Sequence, residues 1–158
     1  MDTTKLTDRQ IQEDRQRNFI ESIDIWTAYF RANPHRFVEE FLGIRLKLFQ
    51  KILLFMMSIS DAFYYIASRS QGKTYLVALY CCVRCILYPG TKIVVASYSF
   101  KQAVEVIQKI QNEFMHQSIA LCMEIKGQPS TSRDNCGVKF KNGSYIRVVI
   151  AGETARGK

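Results

Sequence analysis

Apolar residues recur along this chain in short clusters, and the spacing within each cluster predicts the element it forms. From Phe19 onward, Ile23, Trp26, Tyr29 and Phe30 recur at helical spacing. Asn33-Pro34 closes that helix, because a residue preceding proline is pushed out of the αR region. Phe37, Val38, Phe41 and Leu42 share one face of a second, short helix, which Gly43 ends by supplying a left-handed residue. Residues 47–58 form a third helix, with Leu48, Ile52 and Phe55 on one stripe and Phe49, Leu53 and Met56 beside it. So broad an apolar surface predicts a largely buried helix.

The pattern then changes period. Residues 62–66 are a short apolar, strand-prone run, and residues 75–87 are apolar and helix-compatible. Tyr88-Pro89-Gly90 breaks the chain before residues 92–96, which read as a buried, parallel strand completing a β-α-β unit. Val104, Ile107, Ile110 and Phe114 place a further helix over residues 100–114. A strand is expected through 119–125, then a polar loop through 126–136. Asn142-Gly143, inside Lys141-Asn142-Gly143-Ser144 and flanked by 138–140 and 145–150, is a hairpin signal. The expected organisation is a flexible polar arm or frayed helix over 1–17, a helical segment over 18–60 and an α/β core over 61–158.

Chemistry concentrates between the first expected strand and its helix, where residues 66–74 read Ile-Ala-Ser-Arg-Ser-Gln-Gly-Lys-Thr. This is a variant of the phosphate-binding pattern G-x-x-x-x-G-K-[ST], with Ala67 in place of the first glycine and Arg69 inside the loop. Gly72 lets backbone N–H groups approach phosphate oxygens without a Cβ in the way. The helix N-terminus that follows adds roughly half a positive charge. Lys73 supplies a cation for the β- and γ-phosphates, and the Thr74 hydroxyl suits the Mg²⁺ that bridges them. Ala67, Ser68, Arg69, Ser70, Gln71, Gly72, Lys73 and Thr74 are therefore the candidate ATP-binding residues.

Composition bounds the partners. With 22 basic and 14 acidic residues among 158, the net charge of +8 points to a polyanion such as nucleic acid, although the basic residues are scattered as they would be on a solvated surface. No apolar run approaches the roughly 20 residues needed to cross a bilayer, and residues 1–17 lack the apolar core of a signal peptide, so a cytoplasmic location without membrane contact is expected. Cys81, Cys82 and Cys85 lack the paired spacing of a zinc site and read as small buried thiols, with Cys122 and Cys136 distant in sequence.

Together these motifs resemble the N-terminal ATPase of the large terminase subunit, the motor that packages DNA into procapsids during virion assembly in tailed bacteriophages and related viruses. The loop with arginine ahead of Gly-Lys is the most specific match. Leu46-Lys47-Leu48-Phe49-Gln50 resembles the family's adenine-side motif, which assigns Gln50 to the adenine edge; a polar residue at a helix edge is the plainer reading. Residues 93–99 resemble the second strand and the start of the coupling helix. Residues 140–150 resemble a hairpin that precedes an Arg-Gly element, matched by Arg156-Gly157. The resemblance implies a P-loop NTPase of the additional-strand, RecA-like kind with a three-layer α/β fold, here in part. It implies ATP and Mg²⁺ as cofactors, with Thr74 as the metal-side residue. It also implies double-stranded DNA, a portal protein and a small terminase subunit as partners, a homo-oligomeric ring, and a host-cell cytoplasmic location with transient residence at the procapsid. Arg69, Lys73 and, as a finger reaching a neighbouring subunit's nucleotide, Arg156 become the candidate catalytic residues.

The family's Asp-Glu pair at the end of an apolar strand has no counterpart in the sequence. Asp61, Glu105, Glu113, Glu124 and Glu153 are carboxylates outside such a context and read as surface or capping charges. The expectation is thus weak nucleotide binding without hydrolysis and marginal stability, the chain stopping before the acidic pair and the nuclease domain. Two other readings stay open: a portion of a different P-loop motor such as a helicase, and a basic DNA- or partner-binding module with a vestigial loop.

Overall fold

The structure is a computed structural model and describes residues 8–151. Two units are distinguished, divided between Asn33 and Pro34. The first is a single helix, α1 (Asp8–Ala32). Residues 8–17 belong to this helix: their mixed charges sit among good helix formers, and the Arg17–Asp14 pair at 3.7 Å lies at i,i+3 spacing. The helix ends where Asn33-Pro34 predicts. The Tyr29 carbonyl accepts from both the Asn33 backbone N–H and the Asn33 side-chain amide, each at 3.0 Å, which closes the last turn.

The second unit opens with α2 (Pro34–Arg36), which runs into a π-helical turn (Phe37–Phe41). Gly43 at φ 71° stops it, as the pattern predicts. Helix α3 (Leu48–Ile59) forms at the expected place but is not the buried helix its composition suggests. Only Leu54 is buried, while Leu48, Ile52 and Ile59 are 75%, 51% and 66% exposed. Apolar residues lie all round this helix, whereas α2 and α4 (Lys73–Leu87) pack against only part of it.

The sheet has three strands in the order β1 (Lys92–Ser97), β3 (Tyr145–Ile150), β2 (Gly137–Lys139). β1 runs parallel to β3 with Ile93 opposite Ile146 and Val95 opposite Val148, and β2 pairs antiparallel with β3 through the predicted Asn-Gly hairpin. Helices α4 and α5 (Phe100–Lys109) pack on the sheet, and Ala103, Val104, Val106 and Ile107 form the buried face of α5. A π-helical turn (Ile110–Phe114) continues α5, followed by α6 (Met115–Gln117) and α7 (Ile119–Glu124).

Four expectations are corrected. Residues 119–124 are helical, because the Ser118 hydroxyl accepts from the Leu121 N–H at 3.1 Å and caps a helix that the short apolar run alone does not distinguish from a strand. Residues 62–66 are not a strand: no segment among the described residues hydrogen-bonds to them, and Tyr64 and Ile66 are 91% and 97% exposed. The β-α-β unit is consequently not formed; the parallel pair is β1 with β3. Nor is β1 buried on both faces, since its positions alternate and Val94 is 59% exposed. The second unit is therefore mixed α/β, with a three-stranded mixed sheet against which α4 and α5 pack. No helix among them is long and apolar enough to cross a membrane.

The hairpin does more than join two strands. Asn142 donates its side-chain amide to the carbonyls of Cys85 (2.7 Å) and Ile86 (3.2 Å) at the end of α4, and its side-chain oxygen accepts from the Ser144 N–H at 3.0 Å. Buried Ser144 accepts from the Thr91 N–H at 3.0 Å and donates to the Tyr88 carbonyl at 3.2 Å. One turn thus ties the C-terminal end of α4 to the start of β1, which fixes the helix that carries the phosphate-loop motif at its other end.

Candidate functional site

The site is built on the chain reversal that leads into α4. Ser70 at φ 64° and Gly72 at φ 72° both lie in the left-handed region, and Gly72 is the residue from which α4 starts. Glycine adopts this conformation freely; serine does so at a cost of order 1–3 kcal/mol, and such strain recurs where a loop is shaped for a ligand. Lys73, the first helical residue, folds its ammonium back onto the loop, donating to the Ser68 carbonyl at 2.8 Å and also to the Ala67 carbonyl. The N–H groups of Gly72, Lys73, Thr74 and Tyr75 have no hydrogen-bond partner among the described residues. They are the orphan donors of a 15-residue helix, and the helix dipole reinforces them.

These groups border a concavity of about 740 Å³. Residues 69–75 form one side, and Gln102, Glu105 and Lys109 of α5 form the other. Helix α5 is set in register by its own start. The Ser99 hydroxyl caps it by accepting from the Gln102 N–H at 3.3 Å, while Ser97 donates its hydroxyl to the Gln102 side-chain carbonyl at 2.9 Å. At the first turn of α4, the Tyr75 ring meets Phe114 edge-on with centroids 4.9 Å apart. Burial, and secondarily the nearby Glu113 charge, raises the Tyr75 hydroxyl pKa, so this phenol stays neutral. Lys109 pairs with Glu113.

Of the sequence candidates, Arg69, Ser70, Gln71, Gly72, Lys73 and Thr74 come together around one cavity. Ala67 and Ser68 contribute carbonyls to Lys73. Arg69 is exposed, and its guanidinium has no partner among the described residues. Gln50 does not border the cavity; its side-chain oxygen accepts from the Lys47 N–H at 2.8 Å and caps the start of α3. Arg156 lies outside the described residues. The cysteines are free, and burial pushes the Cys81 and Cys85 thiols up to about 12 and Cys82 well above its usual range. Thiols of this kind are neither nucleophiles nor ready metal ligands at neutral pH.

Gln102, Glu105 and Lys109 carry no motif in the sequence, where Glu105 reads as a surface charge. Their only trace in sequence is i, i+3, i+7 spacing on the polar side of an amphipathic helix, and every surface helix has such a side.

A triphosphate with Mg²⁺ fits this donor set. Its oxygens need unpaired N–H groups and cations, which the loop supplies, and Mg²⁺ asks for little protein ligation beyond one hydroxyl and the phosphates themselves. Among the described residues no group of three His, Cys, Asp or Glu side chains is placed to hold a metal by itself. The sequence matches no protein-family model and no curated protein.

Proposed function

We propose that the loop over residues 67–74 binds the phosphates of ATP with Mg²⁺, and that the chain is the nucleotide-binding part of a terminase-like DNA-packaging motor. The observation carrying this reading is the run of unpaired amides from Gly72 to Tyr75 opening on a cavity shared with Arg69 and Lys73. On binding, Lys73 exchanges the carbonyls of Ala67 and Ser68 for phosphate oxygens, a stronger, charge-assisted pairing. Thr74 would hold Mg²⁺, which supplies charge neutralisation at the phosphates. The Arg69 guanidinium, having no internal partner, is available for a phosphate oxygen from the loop's outer side. Weak binding is the expected behaviour of this loop.

By the same resemblance the partners are double-stranded DNA, a portal protein, a small terminase subunit and further copies of the chain in a ring, in the host cytoplasm and at the procapsid. The test is nucleotide binding by calorimetry: micromolar to millimolar affinity for Mg·ATP, lowered at least about tenfold by Lys73→Ala and by Arg69→Ala. Unaltered affinity in both variants would contradict the reading.

A basic nucleic-acid module is the second reading. A cleft of about 420 Å³ is bordered by Lys126, Lys139 and Arg147 with Gln128, Asn135 and Tyr145, and no carboxylate among the described residues lines it. DNA binding indifferent to ATP and to Lys73→Ala would favour that module.

A further inference from the structure

Glu105 stands where a surface glutamate would have every opportunity to pair. Lys101 and Lys109 lie four residues to either side of it on the same helix, at the spacing that favours an ion pair. Neither pairs with it: Lys109 turns toward Glu113 instead. The Glu105 carboxylate has no hydrogen-bond or ionic partner among the described residues. It borders the concavity whose opposite side carries Thr74, Lys73 and the unpaired amides. Its helix is anchored from both sides, by the Ser99 cap and Ser97–Gln102 at its start and by apolar burial along Ala103, Val104, Val106 and Ile107. The carboxylate is therefore presented to the cavity on a rigid element rather than on a mobile loop.

A bare carboxylate beside a polyphosphate is repulsive, and it weakens binding of the metal-free nucleotide. The sign reverses when a hydrated divalent cation stands between them, because Mg²⁺ keeps several of its waters and those waters are polarised hydrogen-bond donors. We infer that Glu105 is the metal-sensing residue of this site: it accepts hydrogen bonds from water bound to the Mg²⁺ of Mg·ATP and so makes the site selective for the metal-complexed nucleotide over free ATP. Glu105 here acts through water and is a positioning and specificity residue, and the role rests on the nucleotide-binding reading of the loop.

Linkage makes the role measurable without turnover. If Mg²⁺ raises ATP affinity by a factor, ATP raises Mg²⁺ affinity by the same factor, and such coupling commonly amounts to about 5–150-fold. The experiment is titration of the whole chain with a fluorescent ATP analogue, once with excess Mg²⁺ and once with EDTA. For Glu105→Gln, affinity in EDTA is expected to stay equal or rise, since a repulsive charge is removed, while the gain on adding Mg²⁺ falls at least about fivefold. Glu105→Asp should recover part of the gain, and Glu124→Gln, on a different helix, should leave it unchanged. A Glu105→Gln protein that retains the full Mg²⁺ gain overturns the inference while leaving the loop reading intact, provided Lys73→Ala still lowers affinity at least about tenfold. Absence of nucleotide binding by the unmodified chain in both conditions overturns the loop reading, and this inference with it.

Discussion

Single residues set the geometry on which everything else depends, and Asn142 carries more of it than its place in a turn suggests. Its amide closes two orphan carbonyls at the end of α4, and its oxygen holds the Ser144 N–H. Replacing it with alanine leaves those carbonyls half-buried and unpaired, so Asn142→Ala should lower unfolding free energy by about 1–3 kcal/mol. Urea denaturation measures it, and a change under about 0.5 kcal/mol would mean that water replaces the amide at no cost. The dipeptide Asn-Gly was legible in sequence as a turn, for the left-handed Gly143 at φ 85° is what such a turn requires. What was not legible is the reach of the same asparagine across more than fifty positions to α4, because a long-range bond leaves no local pattern.

At the level of elements, helices with a clear 3.6-residue period and a stop signal were readable: α1 to Asn33-Pro34, α4 to Tyr88-Pro89-Gly90, and α5 with its continuation to Phe114. Segments decided by a neighbour were not. Residues 62–66 need a pairing edge to become a strand, and residues 119–124 need only Ser118 to become a helix. The burial of α3 was overestimated because apolar composition says how much surface a helix would hide, not how much its neighbours cover. One polar contact does fasten α3. Glu39, in the π-helical turn, accepts from Lys51 at 2.7 Å and from the Leu46 N–H at 3.3 Å. The Lys51 bond, ahead of the opposing effect of desolvation, lowers the Glu39 carboxyl below its ordinary value of 4.5. A lowered carboxylate stabilises the fold above its unfolded pKa, and that contribution is lost as pH falls through the folded one. Being about one-third exposed, the pair is worth about 0.5–1 kcal/mol. Lys51→Met should therefore cost about that much at pH 7 and progressively less below pH ~4, a convergence visible in denaturation curves taken across that range.

For the whole molecule, the question is how a net charge of +8 is used when its basic residues form no dense run in sequence. Folding gathers some of them. Lys126 from the loop after α7, Lys139 from β2 and Arg147 from β3 border one cleft, with Tyr145 on the neighbouring strand position. Sequence separation hid this grouping, as it hid the α5 side of the cavity beside residues 69–75, since both are assembled by strand and helix packing between distant segments. A phosphate backbone threaded over that cleft would release counterions in proportion to the charges it meets. Binding to a short DNA duplex should therefore weaken steeply with salt. Replacing Lys126, Lys139 and Arg147 together by alanine should reduce the slope of log affinity against log salt by about 2–3. Fluorescence anisotropy over roughly 50–200 mM salt gives that slope directly. Equal slopes for the variant and the unmodified chain would place the DNA contacts elsewhere on the surface. A reduced slope that also shifts when Mg·ATP is added would couple the cleft to the loop over residues 67–74, the behaviour expected if the proposed nucleotide binding controls a grip on DNA.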